Sequence, residues 1–382
     1  MRFPEFTDEW KKVKLGEVTC ERNETNAPTL PLLSITADKG IIPQIDSEKK
    51  DTSNADKSKY KRICPGDIGY NTMRMWQGRS ALSFVEGIVS PAYTIVTPLE
   101  GLLPLFLSYL IKRPRLIYEF WTHSQGLVED TLNCKYKDLS PIAIALPSLA
   151  EQKKIAALLS LIDERIEVQN AISNDLESLI VGFYSSVQYA TKAGWHKVRL
   201  RDLLTIRKEQ NTSGSYEVYS VSVSRGIVNQ IVHLGRSFAA ANTSNYGVVH
   251  PGDLVYTKSP TGQFPFGIVK QNHNASPVAV SPLYGVYRPI SPEVGTLLHY
   301  FFLSPLRANN YLAPLIQKGA KNTINIRTDH FLDNVVLLPK EEKELRCIAD
   351  CLLALDERLS VEKEYVELLK QQKAYLLRQM FI

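Results

Sequence analysis

Two long stretches of the chain place apolar residues mostly three or four positions apart. The first spans 146–187 and the second begins at Leu338. This spacing puts one apolar stripe along an α-helix, so both stretches are predicted to be amphipathic helices of about 40 residues, or about 60 Å. The residues expected to pair the two helices are Ile155, Leu159, Ile162 and Ile166 in the first, and Ile348, Leu352, Leu355 and Leu359 in the second.

A helix of this length with a single apolar stripe needs a partner in water. The simplest arrangement buries the two stripes against each other in an antiparallel, coiled-coil-like pair. Both stretches also share a short motif, Leu161-Ile-Asp-Glu-Arg165 in one and Ala354-Leu-Asp-Glu-Arg358 in the other. At the start of the first helix, Ser148 and Glu151 have the spacing of a capping box, whereas the second helix has Lys340 after its proline and a weaker or different cap.

The repeated motif belongs to a longer internal duplication. Six landmarks recur in the same order, with an offset that drifts only from 185 to 193 residues. They are Trp10 and Trp195, Cys64-Pro-Gly-Asp67 and His250-Pro-Gly-Asp253, Val89-Ser-Pro-Ala-Tyr93 and Val280-Ser-Pro-Leu-Tyr284, apolar helical pieces before Pro114 and Pro305, Thr131-Leu-Asn133 and Thr323-Ile-Asn325, and the long helices. A period this long indicates two similar domains rather than a solenoid.

The segment before each long helix has mixed α+β patterning. Pro-Gly-Asp favours a turn, and segments rich in β-branched and aromatic residues predict strands at Ile68–Tyr70, Ile88–Thr97, Leu254–Thr257 and Val278–Arg288. The predicted fold class is α+β, with two similar, mixed, sheet-rich domains separated by two long antiparallel coiled-coil helices in a pseudo-two-fold duplication. The predicted segments are 1–145, a central helix at 146–190, 191–337, and a C-terminal helix at 338–382.

Composition and charge narrow the class of protein. No apolar run approaches the roughly 20 residues of a membrane span, and the N-terminus has no signal-peptide core, which favours the cytoplasm. Five scattered cysteines give no disulfide framework, and Cys347 and Cys351 are expected to be buried on an apolar helix face. The net charge is +5, yet acidic residues outnumber basic ones in both helical stretches. The excess positive charge therefore lies in the domains, where it suits a polyanion such as DNA or, equally, a solvated basic surface.

The motifs of several enzyme classes are missing. The chain has no glycine-rich cofactor loop after a strand, no phosphate-binding G-x-x-x-x-G-K-[ST] loop and no Asn/Asp-Pro-Pro-Tyr/Phe methyltransferase motif. Its seven histidines show no metal-ligand spacing. Asp67 and Asp253 are expected to cap their own turns rather than act in catalysis. No catalytic or metal-binding residue is predicted.

Polar and basic loops are the best candidates for contact with DNA. Base edges are contacted by Arg, Lys, Asn, Gln, Ser and Thr side chains, and loops on a rigid sheet can present them. The candidates in the first copy are Lys59, Lys61, Arg74, Gln77 and Arg79. In the second copy they are Ser222, Arg225, Asn242, Lys258, Thr261, Gln263, Lys318, Lys321 and Asn322. The loops around Arg74 and Lys258 occupy equivalent positions but differ in sequence, as two domains with different DNA targets require.

The whole arrangement resembles the specificity (S) subunit of Type I restriction–modification systems. The residues that carry the resemblance are the Trp10 and Trp195 openings, the two Pro-Gly-Asp turns, the two Ser-Pro-x-Tyr segments, and Leu146-Pro-x-x-x-Glu151-Gln-x-x-Ile155 leading into Asp163-Glu-Arg165. The second copy departs from the helix-start motif, because Glu344-Leu345 stands where Glu-Gln would fall.

The resemblance implies two target recognition domains that each read half of a split DNA site. It also implies that the helices set the gap between the halves and dock modification (methyltransferase) subunits, while a restriction (motor–nuclease) subunit joins for cleavage. S-adenosylmethionine, ATP and Mg²⁺ would then act on the partner subunits, and this chain would be non-catalytic and without a cofactor of its own.

Two other functions stay open on the sequence alone. One is a scaffold that bridges two protein partners through its domains without DNA specificity. The other is a stand-alone nuclease or methyltransferase, which the missing motifs disfavour. The bases recognised cannot be derived from one chain.

Overall fold

The chain folds into two compact units. The structure is a computed structural model that describes residues 2–36, 39–47, 53–128, 131–190, 194–231, 243–318 and 324–381. The first unit comprises Met1–Gln169 together with Tyr365–Ile382, and the second comprises Asn170–Glu364. The boundary between the units passes through both long helices. The division into four segments made above stays a prediction.

Each unit contains one copy of a sheet-rich domain. The first has helices α1 (Leu15–Val18), α2 (Pro104–Leu110), α3 (Pro114–His123) and α4 (Tyr136–Leu139), and strands β1 (Lys11–Lys14), β2 (Thr19–Glu21), β3 (Leu33–Ile35), β4 (Ile41–Pro43), β5 (Lys61–Ile63), β6 (Ile68–Asn71), β7 (Ser80–Leu82), β8 (Gly87–Val89), β9 (Tyr93–Pro98) and β10 (Ala143–Leu146). The long helix α5 (Leu149–Ala190) follows.

The second copy follows α5 in the same order. It has helices α6 (Leu200–Leu203), α7 (Pro292–Leu303) and α8 (Pro305–Leu312), and strands β11 (Trp195–Arg199), β12 (Leu204–Ile206), β13 (Tyr219–Ser222), β14 (Gly226–Asn229), β15 (Gly247–Val249), β16 (Leu254–Tyr256), β17 (Val269–Gln271), β18 (Val278–Val280), β19 (Gly285–Pro289), β20 (Gln317–Lys318), β21 (Ile324–Asn325) and β22 (Val335–Pro339). The long helix α9 (Glu342–Gln379) follows.

The sheets confirm the duplication. A four-stranded antiparallel sheet has the order β2-β9-β6-β7 in the first copy and β12-β19-β16-β17 in the second. The strand that opens each copy pairs with the strand before its long helix, as β1 with β10 and β11 with β22. The predicted α+β fold class, with two similar sheet-rich domains and two long helices, is therefore confirmed.

The Ser-Pro-x-Tyr motif makes a turn, which the sequence analysis missed. Each of the predicted strands Ile88–Thr97 and Val278–Arg288 is instead two strands, β8 and β9 or β18 and β19. In both copies the tyrosine N–H donates to the serine carbonyl at 3.0 Å, from Tyr93 to Ser90 and from Tyr284 to Ser281. β-Branched residues on both sides of the turn predicted one continuous strand. The proline within that segment was the residue that indicated a turn.

The start of α5 is held by three polar side chains. Ser148 Oγ accepts a hydrogen bond from the Glu151 N–H at 3.3 Å, which is the first half of the predicted capping box. The second half is wrong, because the buried Glu151 carboxylate accepts two hydrogen bonds from Arg2 instead, at 2.7 and 2.8 Å. The fully buried Gln152 bonds the carbonyls of Gly101 and Pro147 and the N–H of Leu103. The Glu-Gln pair thus ties the helix to its domain.

The apolar stripes of the long helices pack first on the domains. In the first unit, Ile155 and Leu159 join the core formed by Phe106, Met380 and Phe381. In the second unit, Ile348, Leu352 and Leu359 join a core that includes Ile180 and Tyr184 of α5. Ile162 is also buried, whereas Ile166 and Leu355 are half-buried. The prediction that the stripes mainly bury each other was therefore incomplete, because each domain supplies much of the covering surface.

The two long helices run antiparallel within each unit. In the first unit Asp163 pairs with Lys373, and the Arg165 guanidinium lies 5.6 Å from the Tyr365 ring centroid. In the second unit Lys363 Nζ lies 2.6 Å from Glu177 Oε1. No helix in the described ranges has the length and apolar character of a membrane span.

Cys347 and Cys351 correct one expectation from the sequence. Both thiols are exposed on α9 rather than buried. The periodicity placed them beside Ile348 and Leu352, which are buried, but their own positions face away from the core.

Candidate nucleic-acid interface

A buried aspartate fixes the Pro-Gly-Asp turn that leads into the central strand β6. Asp67 Oδ2 accepts the N–H of Cys64 at 2.7 Å, which confirms that this residue caps its own turn. Arg22 donates to both carboxylate oxygens, at 2.7 and 3.3 Å, and Thr97 Oγ1 donates to Oδ1 at 2.6 Å. The hydrogen bonds that Arg22 donates to Asp67 raise the pKa of Arg22 above its ordinary value. The turn, β2 and β9 are thereby held in one network.

The second copy repeats the network. Asp253 accepts the N–H of His250 at 2.8 Å and takes two hydrogen bonds from Arg207, at 2.6 and 3.1 Å. Neither arginine was predicted from the sequence. Both could have been found there, because Arg22-Asn-Glu24 and Arg207-Lys-Glu209 recur at the same offset as the tryptophan openings.

The candidate loop of the first copy joins β6 to β7 through a 3₁₀ turn, Met75–Gln77. Met75 is fully buried and anchors the turn, and Gly78 closes it with a φ of 72°, a conformation that favours glycine. Gln77 and Arg79 are exposed, while Arg74 is half-buried. No carboxylate in the described part of the chain pairs with Arg74 or Arg79. The loop therefore presents unpaired polar and cationic side chains on a fixed backbone.

The equivalent loop of the second copy follows β16. Thr261 and Phe264 exchange two backbone hydrogen bonds, at 3.0 and 2.9 Å, and the buried Phe264 anchors the loop. Thr261 and Gln263 are exposed. Lys258 is half-buried, its Nζ lies 3.5 Å from Thr328 Oγ1, and burial lowers its pKa. Two of the three predicted side chains in this loop thus face solvent.

Other candidates in the first copy lie at the same end of the strands as the Arg74 loop. Lys61 stands opposite Val89, directly before the Ser-Pro turn, and the Thr72 hydroxyl donates to the Ala92 carbonyl of that turn at 3.2 Å. Lys59 is exposed in the preceding loop. Lys61 is half-buried with its Nζ 3.5 Å from Glu21 Oε1, so part of its charge is balanced within the domain.

Ser222 is the last residue of β13, and Arg225 lies in the turn that joins β13 to β14. The bridge of Val218 to Ala279 is parallel, so β13 and β18 end on the same side of the domain. The second Ser-Pro turn and the Lys258 loop lie on that side as well. Ser222 is half-buried and Arg225 is exposed. Lys318 lies in β20, but its side chain, Asn242, Lys321 and Asn322 fall outside the described residues.

The aspartate of the repeated helix motif links α5 to its domain in the first unit. Tyr109 Oη donates to Asp163 Oδ2 at 2.8 Å, and Lys373 pairs with the other oxygen. Burial, then Asp163, raises the pKa of Tyr109. In the second unit, burial and then Asp356 raise the pKa of Tyr300, and burial lowers the pKa of Lys270 to about 8. The Tyr300 hydroxyl has no hydrogen-bond partner among the described residues, so the tyrosine–aspartate hydrogen bond is seen in the first copy only.

Tyr109→Phe is expected to lower the free energy of unfolding of the first unit by about 1.5 kcal/mol, because a hydrogen bond to a charged group is lost. The denaturant midpoint at constant m-value measures this change. Tyr118→Phe, which removes a hydroxyl from an exposed ring, is the matched control and should change stability by less than about 0.5 kcal/mol. Equal effects of the two variants would contradict the role given to Asp163.

Among the described residues, no three or more His, Cys, Asp or Glu side chains are grouped to hold a metal ion. The buried carboxylates Asp67 and Asp253 are occupied by their arginines. The features of the described residues that could bind a partner are the polar loops at the ends of the strands in the two copies and the two long helices.

Comparison with known proteins shows what the chain is similar to. Residues 7–178 match the family model described as the Type I restriction modification DNA specificity domain. The match covers the first sheet-rich copy and most of α5.

Two of three similar solved structures share the fold over nearly the whole chain, with TM-scores above 0.5. The Type I restriction–modification S subunit from M. genitalium is 15% identical with a TM-score of 0.58, covering 100% of this chain and 99% of that one. A chain from a structure of Type I restriction–modification complex assembly and conformational transition is 17% identical with a TM-score of 0.53, covering 98% and 97%. The HsdS subunit from Thermoanaerobacter tengcongensis is 18% identical with a TM-score of 0.43, covering 99% and 97%.

Proposed function

We propose that this chain is the DNA-recognition subunit of a Type I restriction–modification complex, in which each sheet-rich copy reads one half of a bipartite site. One observation carries the proposal. Two copies of one scaffold hold loops in equivalent places, with buried anchors at Met75 and Phe264, while the exposed side chains of the loops differ. A scaffold with fixed anchors and variable exposed residues suits two DNA targets. A protein-bridging scaffold does not account for this pattern.

The long helices provide surfaces for the modification subunits. In the first unit, Leu161 (61% exposed) and Leu368 (53%) leave apolar side chains on the outer faces of α5 and α9. In the second unit, Leu179 (50%) and Val361 (53%) do the same. Val361, Leu368 and Tyr375 are seven residues apart, the spacing of a coiled-coil seam. Exposed apolar residues at this repeat favour docking of helices from methyltransferase subunits.

The chemistry belongs to those partners in this proposal. The methyltransferase subunits bind S-adenosylmethionine, and a restriction subunit uses ATP and Mg²⁺ for translocation and cleavage. This chain positions the partners on DNA and contributes no catalytic group or cofactor. The helices set the gap between the two half-sites.

The test is co-expression of the chain with the methyltransferase subunit encoded beside it, followed by sequencing of methylated bases in the host. The expected result is a single motif with two short halves around a fixed unspecified gap. A stable complex that adds no methylation would favour the scaffold, and methylation or cleavage by the purified chain alone would show that the chain is itself an enzyme.

A further inference from the structure

Two aromatic rings lie side by side on the exposed face of α3. Tyr118 is 60% exposed and Trp121 is 45% exposed, and their ring centroids are 5.8 Å apart with planes tilted by 33°. Single exposed apolar residues are ordinary on a protein surface, but two adjacent large rings can bury a large apolar area on binding. Neither residue was predicted from the sequence.

The aromatic pair adjoins the candidate loop of the first copy. The backbone at Gly78 lies against α3, since a methyl group there would come within 2.8 Å of Ile117 Cδ1. At 3.6 residues per turn, Trp121 lies about 40° and Tyr118 about 100° around the helix from Ile117. The rings therefore continue the surface that carries Gln77 and Arg79.

The second copy joins the same two elements. Helix α8 begins at Pro305, the counterpart of Pro114, and its residue Asn309 donates from Nδ2 to the Gln263 carbonyl of the Lys258 loop at 3.2 Å. At the same offset of 191 residues, the buried Phe120 corresponds to the buried Tyr311. The exposed Tyr118, in contrast, corresponds to Asn309. The helix thus keeps the core position at Phe120 and changes the outer position at Tyr118, whereas Trp121 corresponds to the buried Leu312.

We propose that Tyr118 and Trp121 contact DNA, packing against sugars next to the bases contacted by the Arg74 loop. This inference rests on the proposed function. The exposed cations Arg79 and Arg115 flank the pair, so phosphates of a duplex lying on the rings would meet positive charge on both sides. The base faces of a duplex are stacked on one another, so the rings pack on the sugars while the cations bind the phosphates.

The experiment uses the complex with methyltransferase subunits and a duplex carrying the split site found by methylation sequencing. Tyr118→Ala and Trp121→Ala are each expected to weaken binding by about tenfold, because a large aromatic contact is lost. Trp121→Phe keeps a ring and should retain most of the affinity.

Phe84→Ala is the matched control. Phe84 is 77% exposed, yet it lies past the Ile68–Leu82 end of the β6–β7 hairpin, opposite the end that carries the loop. Its removal should leave DNA affinity unchanged. If the Tyr118 and Trp121 variants bind DNA as tightly as the wild type, the inference is wrong. If they instead fail to assemble with the methyltransferase subunit, the face binds protein. A wild-type complex that binds no duplex would refute the proposed function itself.

Discussion

Asp67→Ala is expected to lower the free energy of unfolding of the first unit by about 3 kcal/mol, because Arg22 loses its buried partner and keeps only the exposed Glu24. The variant also removes the acceptors of the Cys64 N–H and the Thr97 hydroxyl. Asp67 is 1% exposed, so water cannot replace these bonds without opening the turn. The turn that precedes strand β6 would no longer be held in place, and β6 leads directly to the Arg74 loop.

Hydrogen exchange of the two units measures the effect separately from global unfolding. Asp253→Ala should produce the same loss in the second unit. Glu86→Ala, which removes an exposed carboxylate from Arg62, is the control and should cost no more than about 1 kcal/mol. An effect of Asp67→Ala as small as that of Glu86→Ala would show that the network does not stabilise the turn.

Replacing Arg74, Gln77 and Arg79 together by alanine should leave one half of the methylated motif unspecified and the other half unchanged. Each lost base contact is worth about 1–3 kcal/mol of discrimination. Met75 and Gly78 are retained in this variant, because the buried side chain and the positive φ hold the loop in place. Sequencing of methylated bases gives the result directly.

The converse variant exchanges Thr261 and Gln263 for alanine and retains Phe264. It should relax the other half-site. If both variants relax the same half, or if neither changes the motif, the assignment of the loops to half-sites is wrong. Lys59→Ala should act differently, weakening binding evenly across sequences and reducing its salt dependence.

The sequence predicted features that have a local or periodic cause. The long helices, the Pro-Gly-Asp turns capped by Asp67 and Asp253, and the duplicated order of elements all follow from spacing and turn chemistry. Contacts between distant residues were not predictable in this way. The Glu151 carboxylate accepts a hydrogen bond from Arg2 instead of completing the local cap. Nothing in the sequence near either residue indicates this contact.

The candidate interface likewise combines features that could be predicted from the sequence with features that could not. The loops at Arg74 and Lys258 were found because they are polar and follow strands, and the structure places both at corresponding edges. The exposure of Trp121 could not be inferred, because an aromatic residue in an apolar helix is more often part of the core. Its neighbour Phe120, on the same helix, is fully buried. The packing of α3 on the loop decides which of the two side chains is exposed.

The first unit is assembled from two distant parts of the chain, and this affects how it is made on the ribosome. Phe381 is buried, its ring lies 5.3 Å from Phe106 and 6.5 Å from Trp10, and its carbonyl accepts a hydrogen bond from Arg113. Phe381 is synthesised roughly 275 residues after Phe106, or roughly 14–55 s later at about 5–20 residues per second. The second unit, a continuous segment, is complete before the core of the first can close. The usual order of folding during translation is thereby reversed, and a chain that stops short of Phe381 leaves its first domain open.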